Sequence, residues 1–515
     1  MGLWYNTSIE QFNKSVFGGE FLLKRFLKKH SFLIYLITSF LIYVLSNGEW
    51  NIPIFAWVYP ILFLGMGYFD KTRKAYSAII LCYALGFVIQ FWKVIGMDIK
   101  ICIIAGILLA LLKVLPYFYW IKSKMRFQDT IIVASIMVLI EYIIYLIYPI
   151  LGGLSDAYTQ FQNLYLLQIV TITGIYGITF IMYWTAAMVI WIWNNRSNQK
   201  VLRKYVTVFA SVIGLIFIYG IVMYHFVGNP KESARIAGVT VPVSHLLNDD
   251  EDVYATFYTD TFTDENVTNT QDKLASVTDE LFIKTKQEAE AGAKIVFWSE
   301  LNGAVLKQDE AALLQRASTT AKEEGIYLIV SLLVKTPYES LKENKTVAFN
   351  PQGEQVAEYF KYGRSIGELC QKGDGELQSF DTEYGKFATF ICSDMAFASK
   401  IQQAGKSNVD ILLVPASDWR EMTLLATKTA IVRAVENGSN IIRHTNKGMS
   451  IVADNRGNIL AQTNYFQSDT KTLAAQVITN GRFTLYSHVG NIFVYLCGIY
   501  VLGSFIIPKC LNRRR

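Results

Sequence analysis

The sequence predicts a polytopic α-helical membrane domain joined to an α/β domain, and three observations carry that prediction. Of the 515 residues, 52% are hydrophobic and 17% charged, with a mean hydropathy of +0.28, which is too apolar for an ordinary soluble chain. The apolar residues gather into blocks close to the ~20 needed to cross ~30 Å of hydrocarbon. One long segment, 228–487, instead has globular composition and alternates β-rich runs with amphipathic helical ones.

The apolar blocks fall at about 32–46, 52–69, 76–96, 101–120, 130–151, 164–193 and 205–227, with an eighth at about 488–508. Residues 1–227 are therefore expected to form a membrane domain of about seven helices, 228–487 a folded domain, and 488–515 a last span with a basic tail. Lys24, Arg25, Lys28 and Lys29 before the first block resemble the start of a signal peptide. No small-residue cleavage pattern follows, and a second block begins almost at once, which favours a span.

The net charge of +6 is concentrated beside the spans. Lys71, Arg73 and Lys74 follow the second, Lys122, Lys124 and Arg126 the fourth, Arg196, Lys200, Arg203 and Lys204 the sixth, and Arg513 to Arg515 end the chain. The 152–163 connection has no Lys or Arg. Under the positive-inside rule both termini lie in the cytoplasm and 228–487 lies outside it, against which Lys93 and Lys100 are two contrary lysines. The basic charge is thus read as topology, and no nucleic-acid partner is expected.

Six cysteines do not make a disulfide framework, since Cys82, Cys102 and Cys497 lie in apolar spans and Cys510 near the cytoplasmic end. Cys370 and Cys392 are the two in the outer segment, and a pairing between them is open at this point. The five histidines, His30, His225, His245, His444 and His488, show no ligand spacing. No metal and no cofactor is expected.

Within 228–487, strands are predicted at 235–243, 294–298, 326–334, 386–391, 410–415 and 439–445. Helices are predicted at 268–291, 308–324 and 422–437, the first from Leu274, Val277 and Leu281 at helical spacing. Hairpins are predicted for 346–350 with 355–360 and for 449–453 with 457–461, across Asn-Pro-Gln-Gly and Asn-Arg-Gly turns. Apolar strands alternating with helices argue for a layered α/β domain with buried sheets.

Three of these runs end on reactive side chains. IVFWSE (295–300) ends in Glu300, YFK (359–361) in Lys361, and KFATFICSD (386–394) carries Cys392 and then Asp394. A thiol is a weak nucleophile until it loses its proton. A carboxylate to take that proton and a cation to stabilise thiolate or oxyanion complete a coherent chemical unit. Cys370 is a rival nucleophile, in a polar turn without a following acidic pair, and Arg364 and Arg443 are candidates to meet lipid headgroups.

Trp-Ser-Glu, then Tyr-Phe-Lys with a downstream Gly-Glu, then Phe-Ile-Cys-x-Asp, in that order, resembles the nitrilase, or carbon-nitrogen hydrolase, superfamily. DILLVPASDW (410–419) and RAVENGSNIIRHTNKGMSIVADNRGNIL (433–460) look like its later strands and helix. With spans on both sides, the chain resembles the apolipoprotein N-acyltransferase family in particular. That resemblance implies an αββα sandwich on the extracytoplasmic side of a bacterial cell membrane, the inner one where there are two.

It also implies residue roles: Glu300 as general base, Lys361 as oxyanion stabiliser, Cys392 as acyl carrier and Glu368 as the carboxylate that orients Lys361. Asp394 would support the site, and Trp419 would form an apolar lid over acyl chains. The implied partners are a phospholipid acyl donor and a diacylglyceryl lipoprotein acceptor, handled by a monomer. The alternative is a membrane-anchored amidase or hydrolase, or an acyltransferase with another acceptor. The chain departs from the family where Lys361 is followed by YGRSIGE, one residue short and without Pro, and where Cys392 is followed by Ser393-Asp394 in place of Tyr-Glu.

Overall fold

The computed structural model describes residues 31–68, 73–227, 232–242, 263–364, 368–468 and 471–512. The basic clusters at 24–29 and 513–515, and Lys71, His30, His245 and the residues 365–367 between Arg364 and Glu368, lie outside them. Each expected apolar block contains helix. α1 is Ser31–Ser46, α2 Pro53–Gly65, α3 Arg73–Ile95, α4 Ile99–Lys113, α5 Leu115–Lys122, α6 Phe127–Ile147, α7 Tyr176–Asn195 and α8 Gln199–His225. Among the described residues, five helical stretches are long and apolar enough to cross a membrane: α3, α4 with α5, α6, α7 and α8.

Local chemistry sets the ends of these helices. Asp98 caps α4 by accepting from Lys100 N, Asn198 caps α8 through Val201 N, and Asp129 accepts from Arg126 N at the start of α6. Pro53 enters α2 and Pro116 opens α5, at positions where a missing N–H costs little. Along α8 the buried face amounts to Gly220, while Val208, Leu215, Ile218, Ile221 and Val222 are exposed. Such a surface is stable against lipid and not against water.

The sixth expected span is shorter than 164–193. Residues Leu164–Leu167 and Val170–Thr173 form two short helical turns, and the long helix begins only at Tyr176. Gly174, at φ +63, breaks the run, and a Cβ there would stand 2.5 Å from the Tyr486 ring. The turns brace the α/β domain: Gln168 donates to the Arg456 carbonyl, Arg482 donates to Gln168, and Ile175 N–H donates to Glu436.

The α/β domain holds two sheets. β1 (Ser233–Val239), β2 (Ile295–Trp298), β3 (Gly303–Leu306), β4 (Tyr327–Lys335), β5 (Lys342–Phe349), β6 (Gln355–Phe360) and β13 (Leu473–Ile478) form the first, in the order β13-β1-β2-β4-β5-β6 with β3 alongside β4. β7 (Ser379–Thr382), β8 (Gly385–Thr389), β9 (Ile411–Ala416), β10 (Asn440–Thr445), β11 (Met449–Ala453) and β12 (Ile459–Asn464) form the second, in the order β12-β11-β10-β9-β8-β7. β1–β2–β4 and β8–β9–β10 pair in parallel, and both expected hairpins, β5–β6 and β11–β12, are antiparallel.

The period of two along each strand sorts the core into layers. Ile295 and Phe297 of β2 meet Ile411 and Leu413 of β9 between the sheets. Val296 and Trp298 face outward onto Leu281, Phe282 and Ala317 of α9 (Asp264–Glu290) and α10 (Glu310–Glu324). Leu412 and Val414 face the other way, onto Ile431 and Val435 of α12 (Thr423–Asn437), which follows the short α11 (Ala398–Lys406). The result is a helix–sheet–sheet–helix sandwich. Its α12 side continues without a break into the core of the membrane bundle, so one apolar cluster spans Tyr59, Met137, Val414 and Val435. The chain closes with α13 (Leu485–Val489) and α14 (Ile492–Asn512).

Candidate active site

Glu300 comes two residues after β2, Lys361 directly after β6, and Cys392 at the head of a one-turn 3-10 helix, Cys392–Ala396, beyond β8. β8 stops at Thr389, short of the expected Ile391, so the thiol leaves the sheet on a turn. All three line one cavity of about 360 Å³, together with Glu368, Cys370, Ser417, Asp418, Trp419 and the apolar Leu301, Leu333, Leu369 and Met422. A neighbouring apolar recess shares Cys392 and Met422 and is bounded by Ile150, Leu425 and Ala426. The thiol thus stands between a charged cavity and an apolar one.

Lys361 is the electrostatic centre of the site. Its Nζ donates to Glu300 Oε1 at 2.8 Å and to Glu368 Oε1 at 2.7 Å, and both Lys361 and Glu300 are buried. Burial works against the ammonium, but the charges of Glu300, Cys392 and Glu368 outweigh it and hold the lysine pKa well above its ordinary value. Asn344 on β5 also donates to Glu300, at 2.9 Å, and to Glu368, at 3.3 Å. Two carboxylates thereby share two donors on one side.

Cys392 is half-buried and has φ +47, a left-handed conformation that a non-glycine residue holds only when its surroundings impose it. Burial, then the Glu300 charge, pushes its thiol pKa up, and Lys361 pulls the other way. The Sγ–H points to the Ser417 carbonyl at 3.7 Å. Asp394, two residues on, is fully buried and ties this turn to the Lys361 loop. It accepts from Tyr359 Oη at 2.8 Å, Tyr362 N at 3.1 Å, Ile391 N at 2.8 Å and Gly363 N, while Ser393 Oγ donates to the Gly363 carbonyl. Burial raises the Asp394 pKa to about 6 against the opposing pull of the Gly363 and Ile391 amides. The shortened loop after Lys361 and the Ser393-Asp394 pair therefore fit one another.

Trp419 lines the cavity and extends to the bundle: its indole N–H donates to the Lys93 carbonyl at 2.9 Å, and its ring lies on Gly96 beyond the end of α3. Arg443 is not at the surface. It is 1% exposed and makes two bonds to Asp418, at 2.8 and 2.6 Å, beneath the loop that carries Trp419. Arg364 donates to the Cys370 carbonyl. Cys370 and Cys392 are both free thiols, and Cys370 is buried against Leu274, Ala304, Leu306 and Leu333. Its apolar neighbours come from distant segments, which is why the sequence around it reads as a polar turn.

Asn344, Ser417, Asp418 and Asn446 were not singled out by sequence reasoning. Each lies within three residues of a strand end or inside a hairpin strand, and strand-end Asn and Ser residues beside a Glu-Lys-Cys pattern are the signal that points to them. His444, two residues before Asn446, is buried between the sheets, donating to or accepting from Thr240, and burial lowers its pKa to about 3. It stays neutral and does not line the cavity.

The carbon-nitrogen hydrolase family model matches residues 265–479, and the model of the apolipoprotein N-acyltransferase N-terminal domain matches residues 39–188. The apolipoprotein N-acyltransferase of Haemophilus influenzae is 24% identical over 447 residues, 80% of either chain. That of Geobacter metallireducens is 22% identical over 393 residues, 70% of either chain. Among solved structures, an amidase from Nesterenkonia sp. is similar to 53% of this chain and 98% of its own, at 18% identity and a TM-score of 0.37. One family model falls on the membrane bundle, another on the two-sheet domain, and relatives of one name align across both, so the chain is similar over most of its length to apolipoprotein N-acyltransferases and, in its two-sheet domain, to carbon-nitrogen hydrolases.

Proposed function

We propose that this protein transfers an acyl chain from a membrane phospholipid, through a thioester on Cys392, to the α-amine of a diacylglyceryl-cysteine lipoprotein. The observation that carries this reading is the cavity in which Lys361 bridges Glu300 and Glu368 beside Cys392, set against the end of membrane helix α3. In the first half-reaction Glu300 takes the Cys392 proton and sulfur attacks the acyl carbonyl. Lys361 stabilises the oxyanion, the ester C–O bond breaks, and the proton passes to the departing lysophospholipid oxygen. In the second, the amine attacks the thioester, the C–S bond breaks, and an amide and a free thiol result. Water must be kept from the thioester between the two, which suits the apolar recess on the bundle side of Cys392.

The site is complete within one chain, which supports action as a monomer. The basic residues beside the spans support placing it on the outer face of a bacterial cell membrane. The test is to incubate purified protein with labelled phospholipid and look for acyl-Cys392 by mass spectrometry, with Cys392→Ser as control. Acylation of Cys392 followed by faster discharge to a diacylglyceryl-cysteine peptide than to water is expected. Absence of acyl-enzyme with every donor overturns the reading, and faster discharge to water replaces it with a hydrolase.

A further inference from the structure

We infer that Asn446 is a positioning residue that holds the Glu300 loop and the Cys392 turn in register across the seam between the two sheets. Glu300 and Lys361 follow β2 and β6 of the first sheet, whereas Cys392 follows β8 of the second. No strand ladder links one sheet to the other among the described residues, so side-chain ties must set the spacing of base and nucleophile. On the Lys361 side Asp394 is that tie, through the Tyr362 and Gly363 amides. On the Glu300 side Thr240 bonds both Ser299 and His444, which ties the sheets one residue before Glu300 and leaves Glu300 itself to be placed by a further tie.

Asn446, just past β10, supplies it. Its Nδ2 donates to the Glu300 backbone carbonyl at 2.8 Å, and its Oδ1 accepts from Ser417 Oγ at 2.8 Å. Ser417 is the residue whose carbonyl receives the Cys392 Sγ–H. One carboxamide therefore connects the peptide of the base to the residue that holds the thiol. The Glu300 carbonyl belongs to the peptide that enters Leu301, which has φ +62. A left-handed leucine is costly unless held from outside, and the Asn446 bond acts on that peptide.

Asn446 is itself rigidly mounted. Its N–H donates to the Ala416 carbonyl at 3.1 Å, the Asp418 N–H donates to the Lys447 carbonyl at 3.0 Å, and Arg443 clamps Asp418 from below. The β9 and β10 extensions thus move as one unit, and Asn446 transmits their position to Glu300. Displacing a base by about 1 Å is enough to cost ~100-fold in rate.

The inference rests on the acyl-enzyme reading, and the experiment separates the two. Full-length wild type, Asn446→Ala, Asn446→Asp and Ser417→Ala are placed in phosphatidylethanolamine vesicles, and thioester on Cys392 is timed against pH and donor concentration. Asn446→Ala is expected to lower kcat roughly 10- to 100-fold with KM little changed and the pH profile displaced. Asn446→Asp keeps the acceptor for Ser417 but sets an acceptor against the Glu300 carbonyl, and should fall as far; Ser417→Ala should fall less. If Asn446→Ala does not fold, the other two variants decide. Wild-type kcat and pH profile in Asn446→Asp overturn the inference, as does a loss that follows melting temperature alone. A wild type that forms no thioester overturns the acyl-enzyme reading instead, and the rate of Cys392 alkylation by iodoacetamide in Asn446→Asp then reads the register by itself.

Discussion

Burial and the Glu300 charge hold the Cys392 thiol protonated at neutral pH, so the nucleophile has to be generated at the moment of attack. Glu300 does two opposing things: it disfavours the resting thiolate through its charge and removes the proton in the transition state. Glu300→Gln should therefore lower thioester formation by about 100-fold or more. Alkylation of Cys392 by iodoacetamide should meanwhile move to lower pH; movement to higher pH would sink the assignment. Asp394 gives a second test. Its folded pKa, about 6, lies above the ordinary 3.8, so its contribution to stability is full below about pH 4 and is lost as pH rises through 6. The change is roughly 3 kcal/mol. Thermal melts of Asp394→Asn should lack that slope between pH 4 and 6, and should show weaker stability throughout, because an amide nitrogen would face the Ile391 N–H.

At the level of elements, α12 couples the catalytic sandwich to the bundle. Its Lys428 is buried, donating to Asn47 Oδ1 at 2.6 Å and Asn51 Oδ1 at 3.3 Å beyond the end of α1. Burial lowers its pKa from 10.5 to about 8, opposed by Asp156. A depressed lysine contributes stability above pH 10.5 that is lost as pH falls through 8, a cost of about 3 kcal/mol at neutral pH. Lys428→Met should accordingly leave melting at pH 7 unchanged or raise it, and flatten its pH dependence between 8 and 10.5. A large drop at pH 7 would mean that the two asparagine bonds outweigh the buried charge. The Trp419 bond to Lys93 is a separate link between α3 and the cavity. Trp419→Phe removes the N–H and the outer ring atoms that lie on Gly96. Its expected effect is a several-fold rise in KM for phospholipid in the acylation assay, with kcat changed less.

For the whole molecule, the orientation that the basic residues imply is testable by labelling. In intact cells a thiol reagent that cannot cross the membrane should label Arg364→Cys, on the exposed rim of the two-sheet domain, and not Lys124→Cys between α5 and α6; the reverse pattern inverts the proposed topology. The apolar blocks and the α/β segment were legible because composition and period are local properties: ILLVP can be read as a buried strand, and LFLG shortly after a Pro as a helix, without knowing their neighbours. Glu300, Lys361 and Cys392 were legible because each stands just past a strand end in a recurring order, and Glu368 through the Gly-Glu that follows Lys361. The short β3, β7, β13 and α11 were not, since four to nine residues carry too little periodicity to stand apart from loop. Nor was the split of the sixth span, where Gly174 breaks a run that hydropathy joins. By itself the sequence determined which stretches are apolar, where strands end, and which side chains able to do acyl chemistry sit there. Only the tertiary structure decided that Lys361 lies between two carboxylates, that Arg443 is buried and locked to Asp418, and that Asn446 joins Glu300 to Ser417. Those contacts cross two sheets and separations of 7 to 146 residues, and no local pattern encodes a distance that packing alone sets.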